Sequence, residues 1–149
     1  MESTNKLLSN VERAVKQSQT AAVLVLASQL DNLLQHCLLR LMRDLSETKK
    51  EELFEGTGPL STFSAKIRLA YAFRILDAKT VVTADRIRKI RNCFAHSENE
   101  ITFDNEKVAK LAKELPGAKD HAKLKDAFAP AVQKLSREIV LALHNLTKE

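Results

Sequence analysis

The chain has 149 residues, with 24 lysines and arginines against 19 aspartates and glutamates, a formal net charge of +5, and 44% hydrophobic residues. This length predicts a single helical domain over residues 1–149, and the apolar content excludes a disordered chain. Three glycines and three prolines are too few for the frequent turns of an all-β fold. Composition therefore predicts an all-α protein, a multi-helix bundle of about six helices.

The first two predicted helices differ in how apolar they are. Residues 4–16 predict a short helix whose apolar face is formed by Leu7, Leu8, Val11 and Val15. Ser18 or Thr20 is a candidate cap for a second helix, residues 18–43. The first half of this second helix is apolar almost all round, which predicts the central helix of the bundle.

Turn and capping residues mark the rest of the chain. The charged run 47–52 is interpreted as a solvated linker or helix end, and residues 55–59 (EGTGP) allow a tight reversal. The later helices are predicted at 62–76, 83–95, 104–115 and from about 126, with Ser61 or Thr62, Thr83 and Asp104 as caps for the first three and Pro130 near the start of the last.

The cysteines, the apolar run at 21–27 and the histidines exclude several protein classes. Cys37 and Cys93 lie in apolar helical patterns, which favours a reducing, cytoplasmic compartment. The apolar run is too short for a signal peptide, and polar residues at 29–32 interrupt it before it could span a bilayer. The four histidines are scattered, so no metal site is expected. EGTGP lacks the lysine of a phosphate-binding loop, and no cofactor is expected.

Positive charge is concentrated in residues 64–91, which carry eight cations against two acids. Such a face attracts phosphate or an acidic partner, although the same residues could merely be solvated or pair with acids elsewhere. The candidate nucleic-acid or partner-binding residues are Lys66, Arg68, Arg86, Arg88 and Lys89. The link 77–82 between the third and fourth helices is longer than a helix-turn-helix turn, so no motif for reading DNA is predicted.

The end of the fourth helix places Arg91, Asn92 and His96 opposite its core face. At about 100° per residue, Arg91 and His96 lie about 140° apart and flank a shallow face. Arginine can grip a phosphate, histidine can move a proton near neutral pH, and Asn92 can donate to an anionic oxygen. The structural alternative pairs Arg91 with Asp31 and gives His96 only a helix-end role.

Several blocks of residues resemble the bacterial mannitol operon repressor family. They are GPLSTFSAKI at 58–67, LAYA at 69–72, IRKIRNCFAH at 87–96 and ITFD at 101–104, with LD and LL at 30–31 and 33–34. The resemblance covers about residues 7–115, and its GPLSTFSAKI block is the most specific. It implies an all-helical repressor of a sugar-alcohol operon in the bacterial cytoplasm, acting on DNA or through a DNA-bound partner protein.

The RNxxxH pattern of Arg91, Asn92 and His96 also resembles the HEPN superfamily of helical bundles. That resemblance implies an alternative function, a metal-independent RNase. His96 would be its acid/base group, Arg91 would stabilise the charged transition state, and Asn92 would orient the phosphate. It also implies a homodimer, because such sites are usually completed across a dimer interface. A non-catalytic helical interaction module is the third interpretation.

Overall fold

The computed structural model describes residues 2–148. Within that range the protein has no strand, and two 3-10 turns, Ala118–Asp120 and Leu124–Asp126, accompany its α-helices. The six α-helices are α1 (Glu2–Leu41), α2 (Glu47–Phe54), α3 (Phe63–Ala72), α4 (Ala78–Ala95), α5 (Glu106–Ala112) and α6 (Phe128–Leu146). The prediction of an all-α bundle of about six helices is confirmed.

Helix α1 corrects the prediction of two separate helices at the start of the chain. Residues 2–41 form one continuous helix of 40 residues, and Ser18 and Thr20 lie inside it. No glycine or proline interrupts residues 2–41. Serine and threonine are only mildly unfavourable inside a helix, so two residues suited to capping do not end one.

The core lies between the second half of α1 and helix α4. Leu30 and Leu34 of α1 are buried, as are Ile87 and Ile90 of α4. Helix α1 contacts α3, α4 and α6, and α4 contacts α1, α3, α5 and α6. The predicted central apolar helix is therefore confirmed in the second half of α1, and α4 shares the centre with it.

Helices α2 and α3 frame the glycine-containing turn. The charged run predicted as a linker or helix end is helix α2, which Ser46 caps by accepting a hydrogen bond from the backbone N–H of Lys49. Thr62 caps α3, as predicted. Between the two helices, a Cβ on Gly58 would collide with the backbone carbonyls of Glu52 and Leu53, so only glycine fits there.

Two later caps differ from the predicted ones. Asp77 rather than Thr83 caps α4, with hydrogen bonds from the backbone N–H groups of Lys79 and Thr80. Hydrogen bonds from Thr80 hold the pKa of Asp77 below its ordinary value. Asn105 caps α5 in place of Asp104. At α4 the Thr80 hydroxyl also accepts a hydrogen bond from the backbone N–H of Asp77, so the two residues form a reciprocal capping box.

Helix α1 meets a criterion of length and apolar composition for crossing a membrane, and it is the one described helix that does so. The core helix of a folded bundle meets the same criterion. A third of the apolar window in α1 is buried inside the protein.

Candidate functional site

Lys66, one of the predicted binding residues, lies in the core of the protein. It is 4% exposed, and its Nζ lies 2.8 Å from Oδ1 of Asp31 on α1. A side chain in this position is inaccessible to a phosphate at the surface. The structure therefore removes Lys66 from the predicted basic face and makes it part of an ion pair between α1 and α3.

Asp31 was expected to pair with Arg91, and the structure corrects that expectation. Arg91 is half-buried, its guanidinium carbon lies 5.8 Å from the centroid of the Phe63 ring, and its Nε is buried with no hydrogen-bond partner among the described residues. A cation over an aromatic face is a favourable electrostatic contact. Arg91 thus packs against the start of α3, away from Asp31.

Three other predicted cations are engaged within the protein. Arg88 and Lys89 pair with Asp85 at 2.7 and 3.1 Å. Partial burial raises the pKa of Asp85, but hydrogen bonds from Arg88 and Lys89 outweigh that effect and hold the pKa below its ordinary value. Arg86 donates a hydrogen bond from Nη1 to the backbone oxygen of Glu114 at 3.1 Å.

Arg68 is the one predicted cation of this set that is exposed on α3. It does not line the groove formed by α4 and α5. The five predicted binding residues therefore do not form one surface, because Lys66 is buried and Arg68 lies on α3, whereas Arg86, Arg88 and Lys89 lie on α4.

His96 and Asn92 line an open groove between α4 and α5, with a volume of about 800 Å³. His96 ends α4, its backbone N–H bonds to the carbonyl of Asn92, and its side chain is exposed. Arg91 is absent from the lining, so the structure places two of the three RNxxxH residues at this surface. The residues that α4 contributes are Arg86, Lys89, Asn92, Cys93 and His96.

The opposite wall of this α4–α5 groove comes from α5 and the segment before it. Ser97, Ile101 and Asn105 precede the helix, and Lys107, Lys110, Leu111 and Glu114 lie on it or just after it. The hydrogen bond from Arg86 to Glu114 joins the two walls at one end. Helix α5 contacts α4, and its Val108 and Ala112 are buried, so this wall is anchored to the rest of the protein.

Charge and hydrophobicity are separated within the α4–α5 groove. Its lining carries four cations, Arg86, Lys89, Lys107 and Lys110, against the single acid Glu114. The lining also holds the half-buried apolar side chains of Cys93, Ile101 and Leu111, whereas Lys89, Lys107 and Lys110 are exposed. A cationic rim around an apolar floor can bind a segment that is itself both acidic and apolar.

Lys107 and Lys110 were not predicted as binding residues, because they lie outside the densest run of positive charge in the sequence. Both lie outside residues 64–91 and are separated from them by 16 residues or more. A weaker signal was present, since the two lysines stand three residues apart on one predicted helix, next to Leu111. Nothing in the sequence indicates that this helix faces α4.

Comparison with known proteins identifies one relationship. A family model described as mannitol repressor (MtlR) matches residues 5–141. No curated protein and no solved structure gives a significant match. Within residues 2–148, no group of three histidine, cysteine, aspartate or glutamate side chains is placed to hold a metal ion.

Proposed function

Since the chain belongs to the mannitol repressor family, we propose that it represses a mannitol operon by binding a DNA-bound partner protein. The binding surface is the α4–α5 groove, and the partner contributes an acidic segment with apolar side chains. Membership of the family supports a regulator of the mannitol operon, and it agrees with the resemblance read from residues 58–67 and 87–96.

The observation that carries this proposal is the apolar floor of the groove. Cys93, Ile101 and Leu111 are half-buried in its lining, and three of the four cations there are exposed. A DNA backbone presents phosphates and sugars to a protein surface, and these groups do not bury apolar side chains such as those of the floor. An amphipathic helix places apolar anchors on a floor of this kind while its acidic side chains meet the cationic rim.

The position of α4 argues against direct reading of DNA. A recognition helix enters the major groove with one long exposed face. Helix α4 packs against α1, α3, α5 and α6. The link predicted at 77–82 is wrong, since α3 ends at Ala72 and α4 begins at Ala78, which leaves residues 73–77 as the link. The face of α4 with Lys89, Asn92 and His96 lies beside the α5 wall of the groove, so it is not the isolated helix face that enters a DNA groove.

The proposal includes the setting and the assembly of the protein. We place it in the cytoplasm of a bacterium, where an operon and its regulators are found together. The half-exposed Cys93 and the buried Cys37 are unpaired, which agrees with a reducing compartment. A homodimer is part of the same proposal.

The RNase alternative receives less support from the geometry. Its chemistry needs Arg91 and His96 on the same phosphate. Arg91 instead packs on Phe63, and His96 faces the α4–α5 groove. Asn92 and His96 line the groove, where they are suited to hydrogen bonding with the acidic partner and need not take part in catalysis.

Direct DNA binding gives the first test. We expect the purified chain to show no preference for the DNA upstream of its operon over a shuffled duplex of equal length and composition. Fluorescence anisotropy at about 50 and 200 mM salt measures this, because phosphate contacts weaken steeply over that range. Saturable binding that prefers the upstream duplex at both salt concentrations would contradict repression through a partner protein.

A further inference from the structure

The first half of α1 extends beyond the bundle. None of residues 2–19 is buried, although the segment is rich in large apolar side chains. Leu8, Val11 and Val15 are 58%, 53% and 47% exposed, and Val25 further along the helix is 56% exposed. An isolated helix gains little stability from propensity alone in water, so an unpartnered apolar stripe of this length needs a second surface.

The exposed stripe has the spacing of a coiled-coil seam. It consists of Leu8, Val11, Val15, Ser18, Ala22 and Val25, which are separated by alternating steps of three and four residues and are all exposed. This set is called the α1 seam. Its six positions carry no charge, and the charged residues of the same stretch, Glu12, Arg13 and Lys16, lie beside it. Apolar residues spaced alternately three and four positions apart form the seam along which two helices pack in a coiled coil.

A neighbouring face of the same helix is already occupied. Val23, Ala27 and Leu30 are buried against the bundle. The α1 seam lies outside this buried face, and its six residues are exposed. Val11, Val15, Ser18 and Ala22 of the seam also line an open groove between α1 and the start of α6, with Phe128 and Ala129 on its far side.

The surface area of the chain agrees with a missing partner. The accessible surface is 9950 Å². A compact monomer of 16.7 kDa exposes about 7,600 Å², so the excess is roughly 2,300 Å². A stable interface removes about 800 Å² from each partner. The projecting helix thus supplies more surplus surface than a dimer needs.

We propose that two copies of the chain pair through the α1 seam, with their helices antiparallel. In that direction Leu8 of one copy lies opposite Val25 of the other, and Val11 lies opposite Ala22. Val15 then lies opposite Ser18, so large side chains meet smaller ones and the two backbones approach closely. A parallel pair would place Ala22 on Ala22 and Ser18 on Ser18, which leaves gaps. The antiparallel pair also keeps the two bundles at opposite ends.

A second copy fits this surface better than a lipid membrane does. Membrane-surface helices are strongly basic on their polar face. Residues 2–19 carry Glu2 and Glu12 against Lys6, Arg13 and Lys16, which nearly balance. The segment therefore lacks the strongly basic face that a membrane surface favours, and its uncharged seam suits contact with an identical seam.

Sedimentation equilibrium of the full chain tests the pairing. The parent is expected at twice 16.7 kDa. The double variant Val11→Glu, Val15→Glu places two charges in each chain, which fall in opposite halves of the antiparallel interface, and should weaken the dimer on the order of 100-fold or more. Both side chains are exposed in the single chain, so the variant should keep its helical circular dichroism. The matched control is Val140→Glu, Leu141→Glu on α6, at residues that are 53% and 60% exposed; it should stay dimeric.

Disulfide trapping tests the direction of the helices. In a Cys93→Ser background, a mixture of Val11→Cys and Ala22→Cys chains should cross-link to each other, whereas Val11→Cys chains alone should not. A parent that is monomeric at every concentration would overturn the proposal, as would a dimer that survives in the Val11→Glu, Val15→Glu variant. Cross-linking of Val11→Cys to itself would overturn the antiparallel arrangement, and a monomeric parent that binds lipid vesicles would assign the seam to a membrane instead.

Discussion

Asp31→Ala is expected to lower the free energy of unfolding by about 3–5 kcal/mol, since it leaves a buried ammonium without its counter-ion. Lys66 is 4% exposed, and Asp31 lies 2.8 Å from its Nζ. A charge in that position can neither reach water nor find another acid nearby, and its desolvation cost is then uncompensated. Urea denaturation followed by circular dichroism measures the change.

Substitution of the other partner, Lys66, is the control for this ion pair. The Asp31 side chain is 27% exposed, so in Lys66→Met water can still solvate the remaining carboxylate. Lys66→Met should therefore cost clearly less than Asp31→Ala, and the double variant should recover part of the loss. If Asp31→Ala cost under about 1 kcal/mol, Lys66 would have to be hydrated or otherwise paired, and its place in the core would be wrong.

Leu34→Ala is expected to cost about 2–5 kcal/mol, because it opens a cavity where α1 packs on the core. Leu34 is fully buried, whereas its neighbour Leu33 is half-buried. Leu33→Ala is therefore the matched control, with the same atoms removed and a smaller expected loss. Equal losses at the two positions, or a loss below about half a kcal/mol at Leu34, would contradict the orientation of α1.

The helices could be predicted from the sequence because their signals are local. Apolar periodicity and the Thr62 cap of α3 depend on residues a few positions apart, and the structure confirms them. Local signals did not decide the start of the chain, because Ser18 and Thr20 can cap a helix or continue one. At α4 a local signal was overlooked, since Asp77 and Thr80 form a capping box before Thr83. A single domain over residues 1–149 stays a prediction.

The site could be predicted only in part because it joins distant segments. Asn92, His96, Arg86 and Lys89 were recognised from one helix, and they do line the α4–α5 groove. The other wall comes from α5, whose position against α4 no local pattern encodes. The ion pair of Lys66 with Asp31 spans 35 residues, so a lysine assigned to a basic surface could be placed in the core only by the fold.

Repression of a mannitol promoter by groove variants tests the central claim most directly. The variant Lys107→Glu, Lys110→Glu reverses two exposed cations on the α5 wall without touching α4. The control Lys119→Glu, Lys123→Glu makes the same change in charge at exposed lysines outside the groove. With both proteins folded and present at parental levels, a promoter–reporter fusion should be derepressed by the groove variant and fully repressed by the control. Full repression by the groove variant would contradict the assignment of the α4–α5 groove as the surface through which this protein acts.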